Sequence, residues 1–476
     1  MILGATSTGG PTTGGKSLDR RDSIHRSYQN AACWGLGNGL VSSTLVIYLV
    51  YEFLASESDA DRNLAIAVAL ILAVPKFIGL LRLSAPAMID RLASRKKFCI
   101  ACYASSAVLL ATLPVIAAPG VWATPRTSLV VLVAIWSSYH LLEYLATVAL
   151  WSWLADLVPR NVRGTFIGYR QRWMLAGNVV GMICTGLFTY AWKTRMLGDD
   201  VWLDAAIAAD SWVREAWVGY AISAVAGSLV LLFAVWPLSK MRDIRSCGQR
   251  APQLSLRELL APLRDGRYWR LLFFGCSLAF FNGLTQSIQF LYPLQVLGVP
   301  LLAFLCLRSV MRVGQISISP AIGRLADRFG NRPVMIACQL IVATGPAFYL
   351  LATPEQPWWF AMAWLAWIAY AGLNVCLPNL MIKLATSEQR AAYIATYFAV
   401  TGIAYGLSTV AGAWIASKYA TWSYASTFFG TSIDWNITEL MLFIGWCGRS
   451  ACVLLLFWII EPGAKSVRQM LRVESD

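Results

Sequence analysis

Long apolar stretches separated by short polar ones run through almost the whole chain. A membrane-spanning helix needs ~20 mostly apolar residues. Twelve stretches meet that need: 30–54, 63–88, 98–118, 127–153, 165–192, 216–238, 270–294, 299–322, 334–352, 357–382, 391–417 and 438–460. Several contain Pro or Gly, which spans tolerate when neighbouring helices shield the backbone. The pattern predicts an all-α integral membrane protein of twelve transmembrane helices. A polar stretch at 239–269 divides them six and six. Within it Leu256, Leu259, Leu260 and Leu263 share one helical face, which predicts a short helix lying on the membrane surface; a plain linker is the simpler alternative. The expected organisation is a tail over 1–29, a six-helix bundle over 30–238, the linker 239–269, a second bundle over 270–460 and a tail over 461–476.

Charge orients these spans. With the first residue inside, the inner segments and helix ends hold 28 of the 39 Lys and Arg, the outer loops 6 and the spans 5. Basic residues hold loops on the cytoplasmic side, so both termini are expected in the cytoplasm of a multi-pass protein of the plasma (inner) membrane. Trp202, Trp212, Trp422 and Trp435, in the longest outer loops, are expected at the aromatic belt.

Composition narrows the class. Apolar residues make up 58% of the 476 and charged ones 13%, against about 25% charged in soluble chains. Such a chain could not cover a water-facing surface. The net charge of +14 invites a nucleic-acid partner, but its positions make it an orientation signal, and no nucleic acid is expected. Two histidines exclude a His-rich zinc site. No Walker loop and no G-x-S-x-G elbow is present, so neither an ATP-driven pump nor a hydrolase is expected, and no cofactor. The eleven cysteines lie in spans or at inner positions, where no disulfide framework is expected. Gly35, Gly37 and Gly39 read as close helix packing.

The two halves repeat one another. After span 2 stands Asp90-Arg91-Leu-Ala-Ser-Arg95-Lys96-Lys97; after span 8 stands Gly323-Arg-Leu-Ala-Asp327-Arg328-Phe-Gly330-Asn-Arg332. After span 4 come Asp156, Pro159, Arg163, Gly164 and Gly168; after span 10 come Lys383, Arg390, Ala391 and Ala395. The loop Gly323-x3-Asp327-Arg328-x-Gly330-x-Arg332 resembles the signature between helices 8 and 9 of the major facilitator superfamily, and Arg163-Gly164 is similar to that family's helix 4–5 loop. The N-terminal copy departs at Pro86 and Ala93, where the family usually has glycines. The resemblance implies two pseudo-symmetric six-helix bundles, a cavity lined by helices 1, 4, 7 and 10, and transport of small molecules by alternating access. Asp90, Arg91, Asp156, Arg163, Asp327, Arg328 and Arg390 would then form a conformational clamp, its ion pairs made in one state and broken in the other; the simpler alternative is solvated topology charge.

A charge at mid-bilayer costs ~2.5–3.5 kcal/mol, so charges inside spans are functional candidates. They are Lys76, Arg82, His140, Glu143, Arg308, Arg312 and Arg449. Glu143 is the one carboxylate placed deep in a span, with His140 on the same helix face. The pair suits proton uptake and release; neutralising a buried cation is the competing role. Lys76 falls one residue from Arg312 when the halves are superposed, and Lys76, Arg308 and Arg312 against one carboxylate favour an anionic solute. Asn38, Asn282, Gln286, Gln289 and Asn374 offer amides to a polar solute or to neighbouring helices. The expected function is secondary transport of a small polar solute, coupled to H+ and favouring an organic anion, by a monomer in contact with the lipid bilayer. A neutral-sugar or drug carrier and a non-transporting membrane sensor are the alternatives. An enzyme is not expected.

Overall fold

A computed structural model describes residues 13–41, 71–116 (bar 72 and 93), 121, 125–197, 210–243, 261–297, 299, 301–385, 389–428 and 431–465. Helix dominates. The elements are α1 (Thr13–Leu40), α2 (73–92, tightened over Gly79–Ser84), α3 (Arg95–Ile116), α4 (Pro125–Leu157), α5 (Arg163–Leu197) and α6 (Asp210–Phe233, continued as Val235–Lys240). The second half has α7 (Gly266–Leu284, continued as Gln286–Gln295), α8 (Leu301–Phe329), α9 (Asn331–Ala343, then Gly345–Leu351), α10 (Trp358–Ala366 through Tyr370–Leu384), α11 (Arg390–Lys418) and α12 (Ile437–Trp458). Each predicted span contains a described helix, spans 1 and 2 only in part. Seven of the described helices are long and apolar enough to cross a membrane by length and composition. α1 begins at Thr13, well before the predicted residue 30. Of the predicted surface helix, Ala261–Arg264 is described and helical; its remainder lies outside the described residues, as does Trp202.

Packing repeats between the halves. In the first, α1 packs on α5 and α6, and α3 on α4 and α6; in the second, α7 packs on α11 and α12, and α9 on α10 and α12. The halves meet through α5 against α8 and through α2 against α11, two contacts related by the same exchange of halves. The α1–α5 contact is backbone against backbone: a Cβ on Gly35 would stand 1.9 Å from the Met174 carbonyl oxygen, and one on Gly181 would stand 2.3 Å from that of Leu36. With no hydrophobic drive between helices in lipid, such close approach supplies dispersion energy. Large apolar side chains such as Val130, Leu187, Leu229 and Leu454 stay exposed on the outside, as a lipid-facing surface requires.

Between α11 and α12 the chain forms an antiparallel hairpin, β1 (Ser423–Phe428) with β2 (Thr431–Asn436), in register Ser423↔Asn436 to Phe428↔Thr431. This adds a strand pair to a fold expected to be helix alone. Aromatic and β-branched residues over 424–435 favour strand, a signal outweighed by hydropathy when the segment is read only as a loop. The hairpin leads directly into α12, where Asn436 and Glu439 form a capping box: Glu439 N donates to Asn436 Oδ1 at 2.9 Å and Asn436 N to Glu439 Oε2 at 3.1 Å. The Trp435 ring meets Phe443 edge-on at 5.5 Å.

Candidate functional site

Two polar assemblies lie between the halves. The first is at the end carrying residues 94–97, 156–163, 327–332 and 383–385, here called the basic end. Asp327, in the last turn of α8, faces the start of α5. Its carboxylate accepts from Gly164 N at 2.8 Å, Thr165 N at 2.7 Å and Thr165 Oγ1 at 2.7 Å. The first amides of a helix have no intrahelical acceptor and carry the positive end of its dipole, so a carboxylate of one half caps a helix of the other. Small residues make the approach possible. A Cβ on Gly323 would stand 2.5 Å from the Gly164 oxygen, and one on Gly168 would stand 2.5 Å from the Ser319 oxygen. On the other flank Asp156, at the end of α4, pairs with Arg95 of its own half and Arg390 of the other.

Of the predicted clamp residues, Asp156, Asp327 and Arg390 thus join the halves. Arg163 is buried and donates through Nη2 to the Ala155 carbonyl at 3.1 Å, closing the end of α4 within its own half. Arg328 is exposed, its guanidinium 5.1 Å from the centre of the Phe329 ring. Arg91 is exposed at the end of α2, and the side chain of Asp90 lies outside the described residues. The helix period explains the division, because residues adjacent in sequence point about 100° apart.

Glu461 is not among the predicted site residues. Its buried carboxylate accepts from Asn331 N (3.1 Å), Asn331 Nδ2 (2.8 Å), Arg332 N (2.7 Å) and Lys383 Nζ (2.8 Å). It caps α9 and ties α10 to the segment after α12. Gly330, between α8 and α9, holds φ 99°, and Lys465 N donates to the Phe329 carbonyl at 2.8 Å. A carboxylate just beyond the last apolar span, opposite a Gly-Asn-Arg turn, is the signal that was present.

The second assembly lies within the predicted spans, where α2 and α4 face α11. His140 Nδ1 and Glu143 Oε2 are 3.1 Å apart. Lys76 and Arg82, both on α2, lie within electrostatic reach of Glu143. The Arg82 guanidinium sits 3.9 Å from the Tyr144 ring centre and 5.2 Å from that of Phe398, and Lys76 Nζ 5.3 Å from that of Tyr405. Beyond Tyr405 the cluster continues to Tyr370, whose hydroxyl donates to Asn282 Oδ1 at 3.1 Å, and to buried Arg449. Asn38 accepts from the Tyr139 hydroxyl at 3.1 Å and donates to the Trp34 carbonyl at 3.1 Å.

The other predicted site residues are placed differently. Gln289 is buried inside the second half, donating to Thr285 Oγ1 at 3.1 Å while its own carbonyl accepts from Tyr349. Thr285 also accepts from Arg449 Nη2 at 2.7 Å. The polar stripe of span 7 is therefore divided by the helix break at Thr285: Asn282 points to the α10 tyrosine and Gln289 into the bundle. Gln286 is half-buried and Asn374 exposed. Arg312 donates to Gln315 Oε1 at 3.1 Å, within electrostatic reach of Arg308. The cations beside Glu143 are thus those of α2, with Tyr144, Phe398 and Tyr405 around them; nothing in the linear spacing joins α2 to α11.

The comparisons bear on family and fold. Residues 307–468 match the family model described as Major Facilitator Superfamily. The xylose transporter XylE from E. coli superposes with a TM-score of 0.62 at 14% identity, covering 94% of this chain and 100% of that one. FucP, a Major Facilitator Superfamily transporter in the outward conformation, gives 0.60 at 14% identity, covering 92% and 98%. The human organic anion transporter TETRAN gives 0.58 at 15% identity, covering 92% and 99%. At these identities the likeness is one of fold. A multidrug resistance protein, MdtH of Photorhabdus laumondii, is 31% identical over 121 residues; the match takes in 24% of this chain and spans 29% of that relative's length.

Proposed function

We propose that this chain is a member of the major facilitator superfamily, a reading supported by the family model over residues 307–468 and by the shared fold, and that it is a secondary transporter of a small polar solute. The family is one of transporters rather than enzymes. In this proposal residues 30–238 rock against 270–460 about the Lys76–Arg82–His140–Glu143 cluster. The basic end is cytoplasmic, with both termini, and the protein works as a monomer in the plasma membrane. The clamp of Asp156, Arg390 and Asp327 holds the basic end closed.

One observation carries the proposal: a histidine–carboxylate pair between two bundles, beside Lys76 and Arg82, with Arg449 deeper in the same cluster. Among the described residues Glu143 is the cluster's one carboxylate, which leaves the cluster net positive, and an anionic group of a solute would balance it. Protonation of Glu143 frees the cations for that group, and deprotonation returns them to the carboxylate, so solute and proton are coupled through one charge balance. The solute class is accordingly an organic anion, moved with H+.

The test is uptake of labelled organic anions into proteoliposomes under an imposed pH gradient. Glu143→Gln abolishes gradient-driven accumulation and leaves exchange between equal pools. Gradient-driven uptake surviving that change excludes coupling through Glu143. A neutral sugar is the second candidate, favoured by the Asn282–Tyr370 and Asn38–Tyr139 hydrogen bonds that line the same region. Uptake of sugar but not of anions, insensitive to Arg82→Gln, would select it.

A further inference from the structure

At the basic end of the second half, α7 and α12 meet on the outer surface. Arg270, in the first turns of α7, lays its guanidinium 5.4 Å from the centre of the Trp458 ring and donates through Nη1 to the Trp458 carbonyl at 3.3 Å. Trp269, Phe273 and Trp458 are exposed to 44%, 40% and 48%. Phe273 meets Trp458 edge-on at 6.3 Å, and Trp269 lies 6.3 Å from Phe273. Exposed rings at a helix end occupy the level where lipid headgroups meet acyl chains. A guanidinium has five donors, and the carbonyl takes one. Asp265, the carboxylate nearest in sequence, is occupied by Arg267 N, Tyr268 N and the Tyr393 hydroxyl.

The first half has the same device at the equivalent place. Arg26, midway along α1, lies 5.6 Å from the centre of the Trp236 ring at the end of α6, and Phe233 stacks on Trp236 at 6.0 Å. There, however, Arg26 Nε is 3.7 Å from Asp22 Oδ2 and Nη1 donates to Gln29 at 3.4 Å. The chain supplies its own counter-charge on that side. Among the described residues no carboxylate pairs with Arg270.

We propose that the foot of α7 and α12 binds the phosphate of an anionic phospholipid, and that its counterpart at α1 and α6 does not. Arginine matches a phosphate with two parallel hydrogen bonds. Trp269, Phe273 and Trp458 flank the place where the glycerol and first acyl carbons would lie, which selects a lipid over free phosphate. The inference needs only the membrane fold and stands apart from the transport proposal.

The experiment compares purified full-length protein in nanodiscs of phosphatidylcholine alone and of phosphatidylcholine mixed with phosphatidylglycerol. Thermal midpoints are measured, and retained lipid is counted by native mass spectrometry. Phosphatidylglycerol raises the midpoint of the wild type. Arg270→Gln removes that rise and lowers retained phosphatidylglycerol about tenfold, the scale of one charge-assisted contact. Arg26→Gln keeps both. If Arg270 only caps α12, its loss lowers the midpoint equally in both lipids and the increment survives. That result overturns the proposal, as does an increment lost equally with Arg26→Gln. In the wild type alone the increment shrinks as salt rises; no increment, or one indifferent to salt, also overturns it.

Discussion

Replacing Asp327 by Ala removes three hydrogen bonds to an ionised carboxylate, at 2.8, 2.7 and 2.7 Å, all donated by the opposite half. Hydrogen bonds to charged groups contribute about 1.5–3 kcal/mol each, and a carboxylate at a helix N-terminus about 0.3–1 kcal/mol more. When the basic end opens, the carboxylate and the Gly164 and Thr165 groups gain water instead. The difference between the two states is thus smaller than the sum, and about 2–3 kcal/mol is a reasonable net value. With tenfold per 1.4 kcal/mol, the ratio of closed to open falls roughly 30- to 150-fold. The buried Ser319, opposite Gly168, reports the change. In a background lacking reactive cysteines, Ser319→Cys is labelled by a maleimide at a rate set by the open fraction. Adding Asp327→Ala speeds labelling by roughly one to two orders of magnitude. An unchanged rate would mean that the cap at α5 does not distinguish the two states, and the clamp role of Asp327 would be withdrawn. Asp327→Asn separates charge from shape: it keeps one acceptor and falls between.

Three further outcomes follow from the geometry. Asp156→Asn leaves buried Arg390 facing a neutral amide and lowers stability by about 1–3 kcal/mol; in a double-mutant cycle with Arg390→Gln the two losses are less than additive, and strict additivity would deny the pairing. Gly330→Ala puts a Cβ 2.8 Å from that of Ala464 on a backbone at φ 99°, costing at least ~1–3 kcal/mol, seen as a lower thermal midpoint; an unchanged midpoint would count against the turn as drawn. Arg449→Met removes a buried cation while Thr285 Oγ1 keeps its bond from Gln289, so stability changes little or rises, whereas anion uptake falls through a higher KM. A large loss of stability with unaltered KM would assign Arg449 to structure alone.

Much of the fold was legible because lipid imposes one dominant rule: each span must satisfy its own backbone and show apolar side chains outward. The helices, the division of basic residues and the paired loops follow from that rule and from local repeats, and Asp327, Asp156, Arg390, Glu143 and His140 stand out as charges at helix ends or within apolar runs. The hairpin over 423–436 escaped because its pattern is short and its neighbours are strongly helical. Gln289 and Arg163 were legible as polar residues, but their partners were not.

The periodic, one-dimensional part is written in the chain: which segments are apolar, where charge is confined, and that the two halves repeat. Helix packing in three dimensions sets which carboxylate meets which helix: Asp327 on α5, Glu461 on α9, Asp156 shared by Arg95 and Arg390, and the cations of α2 beside the pair on α4. A helix presents a different neighbour every 100°, so the partner of a polar side chain depends on crossings between segments 61 to 234 residues apart. Spacing along the chain carries no record of those crossings.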